Sequence, residues 1–116
     1  MIKFYGYAKC STCRKAMKYL KENNVDFQDI DIVLNPPSKK ILLSILRSGD
    51  YSIKELFNRS GKMYRELNMK EKMTSLSENQ LLDLLAQNGK LIKRPIVVNE
   101  NRYVVGFNEE KLSGIV

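Results

Sequence analysis

Two cysteines three positions apart are the side chains in this sequence best suited to chemistry. Cys10 and Cys13 form a C-x-x-C pair, and the 116-residue chain has no other cysteine and no histidine. The lack of histidine excludes Ser-His and Cys-His catalytic pairs, and two cysteines cannot supply a four-ligand structural zinc site. Thiol–disulfide exchange is the chemistry that remains, with two buried structural thiols or a zinc ion bridging two chains as the alternatives.

The residues around the pair favour a thiolate at Cys10. A strand is predicted over residues 2–7, and the apolar positions after the pair repeat with helical spacing, so the cysteines lie where a strand leads into a helix. Amides at a helix N-terminus stabilise an anion, and Lys9 and Arg14 add positive charge. Helical spacing puts Cys13 on the apolar face. We therefore expect Cys10 to be the exposed attacking thiol and Cys13 the buried resolving thiol.

The length and the net charge of the chain indicate a single basic domain. The formal net charge is +7 at pH 7, from 20 Lys and Arg against 13 Asp and Glu. A chain of this length can bury a sufficient core without metals or disulfides. No membrane-spanning stretch or export signal is recognised, so we expect a cytoplasmic monomer without membrane contact, cofactor or metal ion. No helix carries a set of base-reading side chains, so direct sequence-specific DNA binding is not expected.

The remaining pattern predicts a strand, a helical segment, a hairpin and a last helix. A strand over residues 26–32 follows the first helix, and strand–helix–strand order is typical of a parallel pair. Residues 38–90 are predicted to be helical, and strands at 96–98 and 102–105 flank a loop of hairpin length. Four positions match helix caps, two of them with a capping-box partner: Ser38, Ser52 with Glu55, Ser77 with Gln80, and Asn108.

This order, βα-β-helices-ββ-α, predicts an α/β protein with a four-stranded mixed sheet. Three aromatic residues of the first strand, Phe4, Tyr5 and Tyr7, are expected to pack the strand and are left out of the site.

Five segments of the chain carry a resemblance to a known family, and they are Cys10–Ala16, Asn35–Ser38, Tyr64–Leu67, Leu91–Val98 and Val105–Glu110. In this order they resemble the arsenate reductase-like (ArsC) and Spx/MgsR family. The resemblance implies a thioredoxin-like fold, formed by about 1–35 and 91–116, with an inserted helical subdomain of about 38–90. It also implies a cis peptide bond before Pro95, facing the cysteines, and a position for Arg94 across from Cys10, where it would stabilise a thiolate or its anionic adduct.

The family that the sequence resembles has branches with different functions. Arsenate reductases of this type hold the oxyanion with one cysteine and three arginines, of which this sequence keeps Cys10 and Arg94, whereas Asn58 and Gly106-Phe107 fall at the other two positions. Two missing donors, each worth about 1.5–3 kcal/mol, make arsenate an unfavourable substrate. We therefore predict a small thiol–disulfide oxidoreductase, similar to glutaredoxins and arsenate reductases, acting on protein or glutathione disulfides.

The Spx/MgsR branch supplies the alternative prediction, because it has the second cysteine within the same motif. Its members resemble redox-sensing transcriptional regulators that bind the C-terminal domain of the RNA polymerase α subunit. Arg47 matches a basic residue of that polymerase contact, whereas Ser52 stands where the contact surface carries glycine. The two functions share the cysteine pair and differ in whether a partner surface is needed.

Overall fold

The helices and strands follow the predicted order. The computed structural model describes all 116 residues, and two 3-10 helices, Ile53–Leu56 and Gly89–Leu91, accompany the regular elements. This order confirms the predicted α/β class. The four strands and six α-helices are β1 (Ile2–Gly6), α1 (Ser11–Glu22), β2 (Phe27–Asp31), α2 (Lys39–Arg47), α3 (Lys62–Glu66), α4 (Met69–Ser75), α5 (Glu78–Gln87), β3 (Ile96–Asn99), β4 (Arg102–Val105) and α6 (Glu109–Ile115).

The strands form one mixed sheet in the order β2-β1-β3-β4. β1 and β2 are parallel because helix α1 carries the chain back between them. β3 runs antiparallel to both β1 and β4, and Tyr5 of β1 lies opposite Ile96 of β3. The four-stranded mixed sheet was predicted, although β1 ends at Gly6, one residue earlier than expected. No helix is long and apolar enough to cross a membrane.

The chain divides into two compact units, residues 1–32 with 94–116, and residues 33–93. The first unit contains the sheet, α1 and α6, and its core includes no charged side chain. Burying each large apolar side chain contributes about 1.5–3 kcal/mol relative to exposure, and this burial fixes α1 against the sheet. The core cluster is Ile2, Phe4, Cys13, Ala16, Leu20, Val97, Val104, Leu112 and Ile115.

The second unit is helical, and local capping explains where several of its helices begin. Ser38 Oγ accepts a hydrogen bond from the Ile41 amide at 3.2 Å at the start of α2. At the start of α5, Ser77 Oγ accepts from the Gln80 amide at 3.2 Å, and the Gln80 side chain accepts from the Ser77 amide at 3.0 Å. The capping box at Ser52 begins a four-residue 3-10 helix. The capping predictions for this unit are therefore confirmed.

Candidate functional site

Cys10 occupies the N-cap of α1. Its Sγ accepts a hydrogen bond from the Cys13 backbone amide at 3.2 Å, and its own amide donates to the Tyr7 carbonyl at 3.0 Å. The side chain is half-buried. A sulfur in this position accepts a hydrogen bond from a backbone N–H group and lies at the positive end of the helix dipole.

Cys13 lies one turn further along α1, with its side chain only 2% exposed. The pKa of the Cys13 thiol is raised from 9.0 to about 12. Burial is the largest cause, and the hydrogen bond and charge of the Cys10 side chain act in the same direction, whereas a backbone hydrogen bond with Tyr7 and the charge of Arg94 lower the pKa. Cys13 is therefore a thiol at neutral pH.

Arg94 and Pro95 immediately precede β3. The peptide bond between them is cis, as predicted. Arg94 is half-buried, and its guanidinium carbon lies 5.2 Å from the centroid of the Tyr7 ring, which is cation–π geometry. Its charge acts on Cys13. The placement of Arg94 across from Cys10 stays a prediction.

Tyr7 is a residue of this site that the sequence reasoning left out. Phe4 and Tyr5 are buried in the sheet, as expected for strand packing, whereas Tyr7 is half-buried and carries the Arg94 guanidinium on its ring. The register of β1 against β3 indicates this contact between Tyr7 and Arg94. Tyr5 pairs with Ile96 in antiparallel strands, and continuing that register by two residues brings Tyr7 opposite Arg94.

The predicted supporting residues Lys9 and Arg14 are both exposed beside the cysteine pair. The Arg14 guanidinium donates a hydrogen bond to the Ala8 carbonyl at 3.0 Å, which holds the loop before α1 against the first turn of the helix. Lys9 makes no ion pair and no side-chain hydrogen bond. The two residues add positive charge near the thiols rather than a defined contact with them.

A cavity of about 390 Å³ opens beside Cys13 within the sheet unit. Its floor is apolar and its charged lining residues are Arg14, Asp29 and Asp31. A Cβ atom on Gly6 would overlap the Phe4 ring, so the floor requires glycine there. The buried thiol therefore has open space on one side. The lining residues are Phe4, Gly6, Tyr7, Ala8, Cys13, Arg14, Met17, Asp29 and Asp31.

The residues predicted for partner binding lie in the helical unit, not in the unit that carries the thiols. Arg47, at the end of α2, forms an ion pair with Glu78 at 3.4 Å, and its side chain is 68% exposed. Ser52 is exposed, and its amide donates to Glu55 Oε1 at 3.0 Å. Arg47 and Ser52 thus make exposed contacts within the helical unit.

Asn58 and Gly106 stand at two positions where the resemblance implies arginine. The Asn58 side chain lies so close to Gly61 that a Cβ there would overlap its amide group. Gly106 follows β4 with a φ of +80°, a backbone conformation that an arginine would adopt only with strain. No group of three or more Cys, Asp or Glu side chains is placed to hold a metal ion.

Comparison with known proteins places this arrangement in a family. YusI of Bacillus subtilis (strain 168) is 45% identical over 108 residues, covering 93% of this chain and 92% of YusI. The global transcriptional regulator Spx of Streptococcus pyogenes serotype M1 is 32% identical over 112 residues, covering 97% of this chain and 82% of Spx.

Solved structures agree with the sequence relatives. The crystal structure described as a possible arsenate reductase from Streptococcus mutans UA159 superposes with a TM-score of 0.89 at 40% identity, covering 97% of this chain and 98% of that one. The mixed sheet with α1 carrying the cysteines is thus a fold that this chain shares with that structure. Because the ArsC family also matches residues 5–115, nearly the whole length, this chain belongs to the ArsC family.

Proposed function

We propose that the protein is a thiol–disulfide redox protein in which Cys10 attacks and Cys13 resolves. The observation that carries the proposal is the pairing of a half-buried sulfur at a helix N-cap with a buried thiol one turn below it, joined by the hydrogen bond from the Cys13 amide to Cys10 Sγ. The first position makes one sulfur accessible to a substrate, and the second keeps a protonated thiol in reserve.

The reaction has two exchange steps. The Cys10 thiolate attacks one sulfur of a substrate disulfide, forms a mixed disulfide and expels the other half as a thiolate. Cys13 then loses its proton to solvent, and its sulfur attacks Cys10, which forms the Cys10–Cys13 disulfide and expels the remaining half. Two electrons pass from the protein to the substrate. A dithiol or two glutathione molecules return the pair to the reduced state.

The substrate class follows from the chemistry and from the family. Protein disulfides and glutathione disulfides offer a sulfur to a thiolate and need no oxyanion site. Arsenate is not proposed, because Asn58 and Gly106 stand where arsenate reductases of this type carry arginine. Similarity to a structure described as a possible arsenate reductase supports reductive thiol chemistry at Cys10 without requiring that substrate.

Mild oxidation provides the direct test. Diamide or dilute peroxide is expected to convert the reduced protein to an intramolecular Cys10–Cys13 disulfide with a mass loss of about 2 Da. Mass spectrometry under non-reducing conditions measures the product, and dithiothreitol should reverse it. Dimer formation as the main product, or release of one zinc ion per two chains from freshly purified protein, would contradict the proposal in favour of a bridging site.

A second candidate function is a redox-sensing regulator that binds the C-terminal domain of RNA polymerase α. The observation that favours it is the 32% identity to Spx over nearly the whole of this chain. In this function the cysteine pair would be a switch, and the exposed Arg47 would belong to the partner surface. Ser52 would add a side chain where the Spx-type surface carries glycine.

Charge reversal at Arg47 tests this candidate. If the α domain binds there, Arg47→Glu should weaken binding at least tenfold, because it removes a cation and places a second carboxylate beside Glu78. Ser52→Gly should strengthen binding. Fluorescence anisotropy with a labelled α domain measures both, and Lys40→Glu on the same helix is the matched control. Equal losses for Arg47→Glu and Lys40→Glu would assign the effect to net charge alone.

A further inference from the structure

The cavity beside Cys13 combines an apolar floor with carboxylates on its rim, and the two exchange steps do not use it. Its volume of about 390 Å³ lies within the range typical of small-ligand sites. Cys13 lines the cavity, and its backbone amide donates a hydrogen bond to Cys10 Sγ at 3.2 Å. The attacking sulfur is therefore adjacent to a residue of the cavity wall, so a side chain next to a substrate disulfide is within reach of the cavity.

The register of β1 against β2 accounts for the composition of the cavity. Phe4 pairs with Asp29 and Gly6 pairs with Asp31 in parallel strands, so these four positions share the face of the sheet that packs against α1. Phe4 is fully buried on that face, and Gly6 has no side chain to fill the space next to it. Because β2 is an edge strand, the two carboxylates stand at the open side of an apolar floor.

Asp29 brings to the cavity rim a charge that no cation of the chain pairs with. Its side chain is exposed and makes no ion pair and no hydrogen bond. Arg14 is the cation that also lines the cavity, and its guanidinium donates to the Ala8 carbonyl at 3.0 Å. Lys3 precedes Phe4 on β1 and therefore faces the other side of the sheet. The Asp29 carboxylate is thus available to a cation from outside the chain.

We propose that this cavity is a specificity pocket for a lysine or arginine side chain next to the substrate disulfide. The aliphatic stem of that side chain lies on the apolar floor, and its charged head lies at the carboxylates of Asp29 and Asp31. Long cationic side chains divide in this way between apolar surfaces and water. The inference rests on the thiol–disulfide function proposed above, and it assigns protein disulfides with basic flanking residues as the preferred substrates.

Peptide disulfides that differ only in the residues beside the cysteine test this pocket. The probe is a short peptide whose single cysteine is joined in a disulfide to 2-thiopyridine and is flanked on both sides by lysine, norleucine or glutamate. Attack by Cys10 on the peptide sulfur forms the mixed disulfide and expels 2-thiopyridone, whose absorbance gives the second-order rate constant by stopped flow. Norleucine has the lysine stem without the ammonium group. Each rate is divided by the rate with 2-mercaptoethanol, which corrects for the intrinsic reactivity of the peptide.

The lysine peptide is expected to react about fivefold faster than the norleucine peptide at low salt, the effect of one partly exposed charge pair. Salt at about 1 M should remove most of this preference, because it screens exposed charges. Asp29→Asn should lower the ratio of the two normalised rates to about one. Asp26→Asn is the matched control, since Asp26 is an exposed carboxylate just before β2 that does not line the cavity, and this variant should keep the fivefold ratio.

The outcomes separate the pocket from the function that it serves. If no peptide reacts faster with the unmodified protein than with Cys10→Ser, the thiol–disulfide function itself fails. If the lysine and norleucine peptides react at equal normalised rates, or if Asp29→Asn and Asp26→Asn lower their ratio equally, the function stands and the pocket is overturned. A fastest reaction with the glutamate peptide would also overturn it, because the exposed cations Lys9 and Arg14 would then select the substrate.

Discussion

Replacing Cys10 with serine is expected to lower the rate of exchange with a disulfide substrate by at least about 10³-fold, because a serine hydroxyl is not ionised near neutral pH and is a poor nucleophile toward sulfur. The fold should persist, since the Cys10 side chain is half-buried and a serine can cap α1 in its place. Thiol release from a small disulfide measures the rate, and circular dichroism confirms the fold.

Cys13→Ser is the matched variant, and it is expected to block the second exchange step rather than the first. Because attack at Cys10 precedes resolution, this variant should still react with the substrate but stop at the mixed disulfide. With glutathione disulfide, the product should be one glutathione attached at Cys10, visible by mass spectrometry and removed by dithiothreitol. Equal loss of the first exchange step in the two variants would overturn the assignment of attacker and resolver.

Phe4→Ala is expected to destabilise the sheet unit by about 3–5 kcal/mol. Phe4 is fully buried, and its ring centroid lies 5.5 Å from that of Phe27. The side chain also forms the floor of the cavity beside Cys13, so a large void would open next to the thiol. Urea denaturation followed by circular dichroism measures the free energy of unfolding.

Leu34→Ala is the control for this substitution, because the Leu34 side chain is 75% exposed. Its removal should change the free energy of unfolding by less than about 0.5 kcal/mol. If Phe4→Ala cost no more than Leu34→Ala, the aromatic packing around Phe4 would not be a source of stability, and the structural account of the core would be wrong.

The parts of the fold that the sequence predicts are those that depend on local interactions. Ser38, Ser77 and Asn108 cap helices with their own side chains because the partner amide lies three residues away in each case. The apolar spacing of α1 likewise identifies its buried face from within the helix. The sequence did not predict the break between α3 and α4 within residues 62–75. Asn68 separates the two helices with a left-handed backbone conformation, and no glycine or proline marks the break.

The candidate site likewise has a local part that the sequence predicts and a non-local part that it does not. Cys10 and Cys13 are recognisable because both lie within one helical turn. The contact between Tyr7 and Arg94 joins residues far apart in the chain, and only the β1–β3 register reveals it. The ion pair between Arg47 and Glu78 is equally non-local, since it depends on how α2 packs with α5. Side-chain partners across elements require the tertiary structure.

The apolar core has a consequence for the dependence of stability on pH. Burial raises the pKa of both Cys13 and Tyr5 above their ordinary values of 9.0 and 10.0, so above about pH 9 the unfolded chain releases protons that the folded chain retains. Stability that is complete at lower pH is therefore lost progressively as the pH rises. Proton linkage thus makes alkali a condition that opens the core around the resolving thiol.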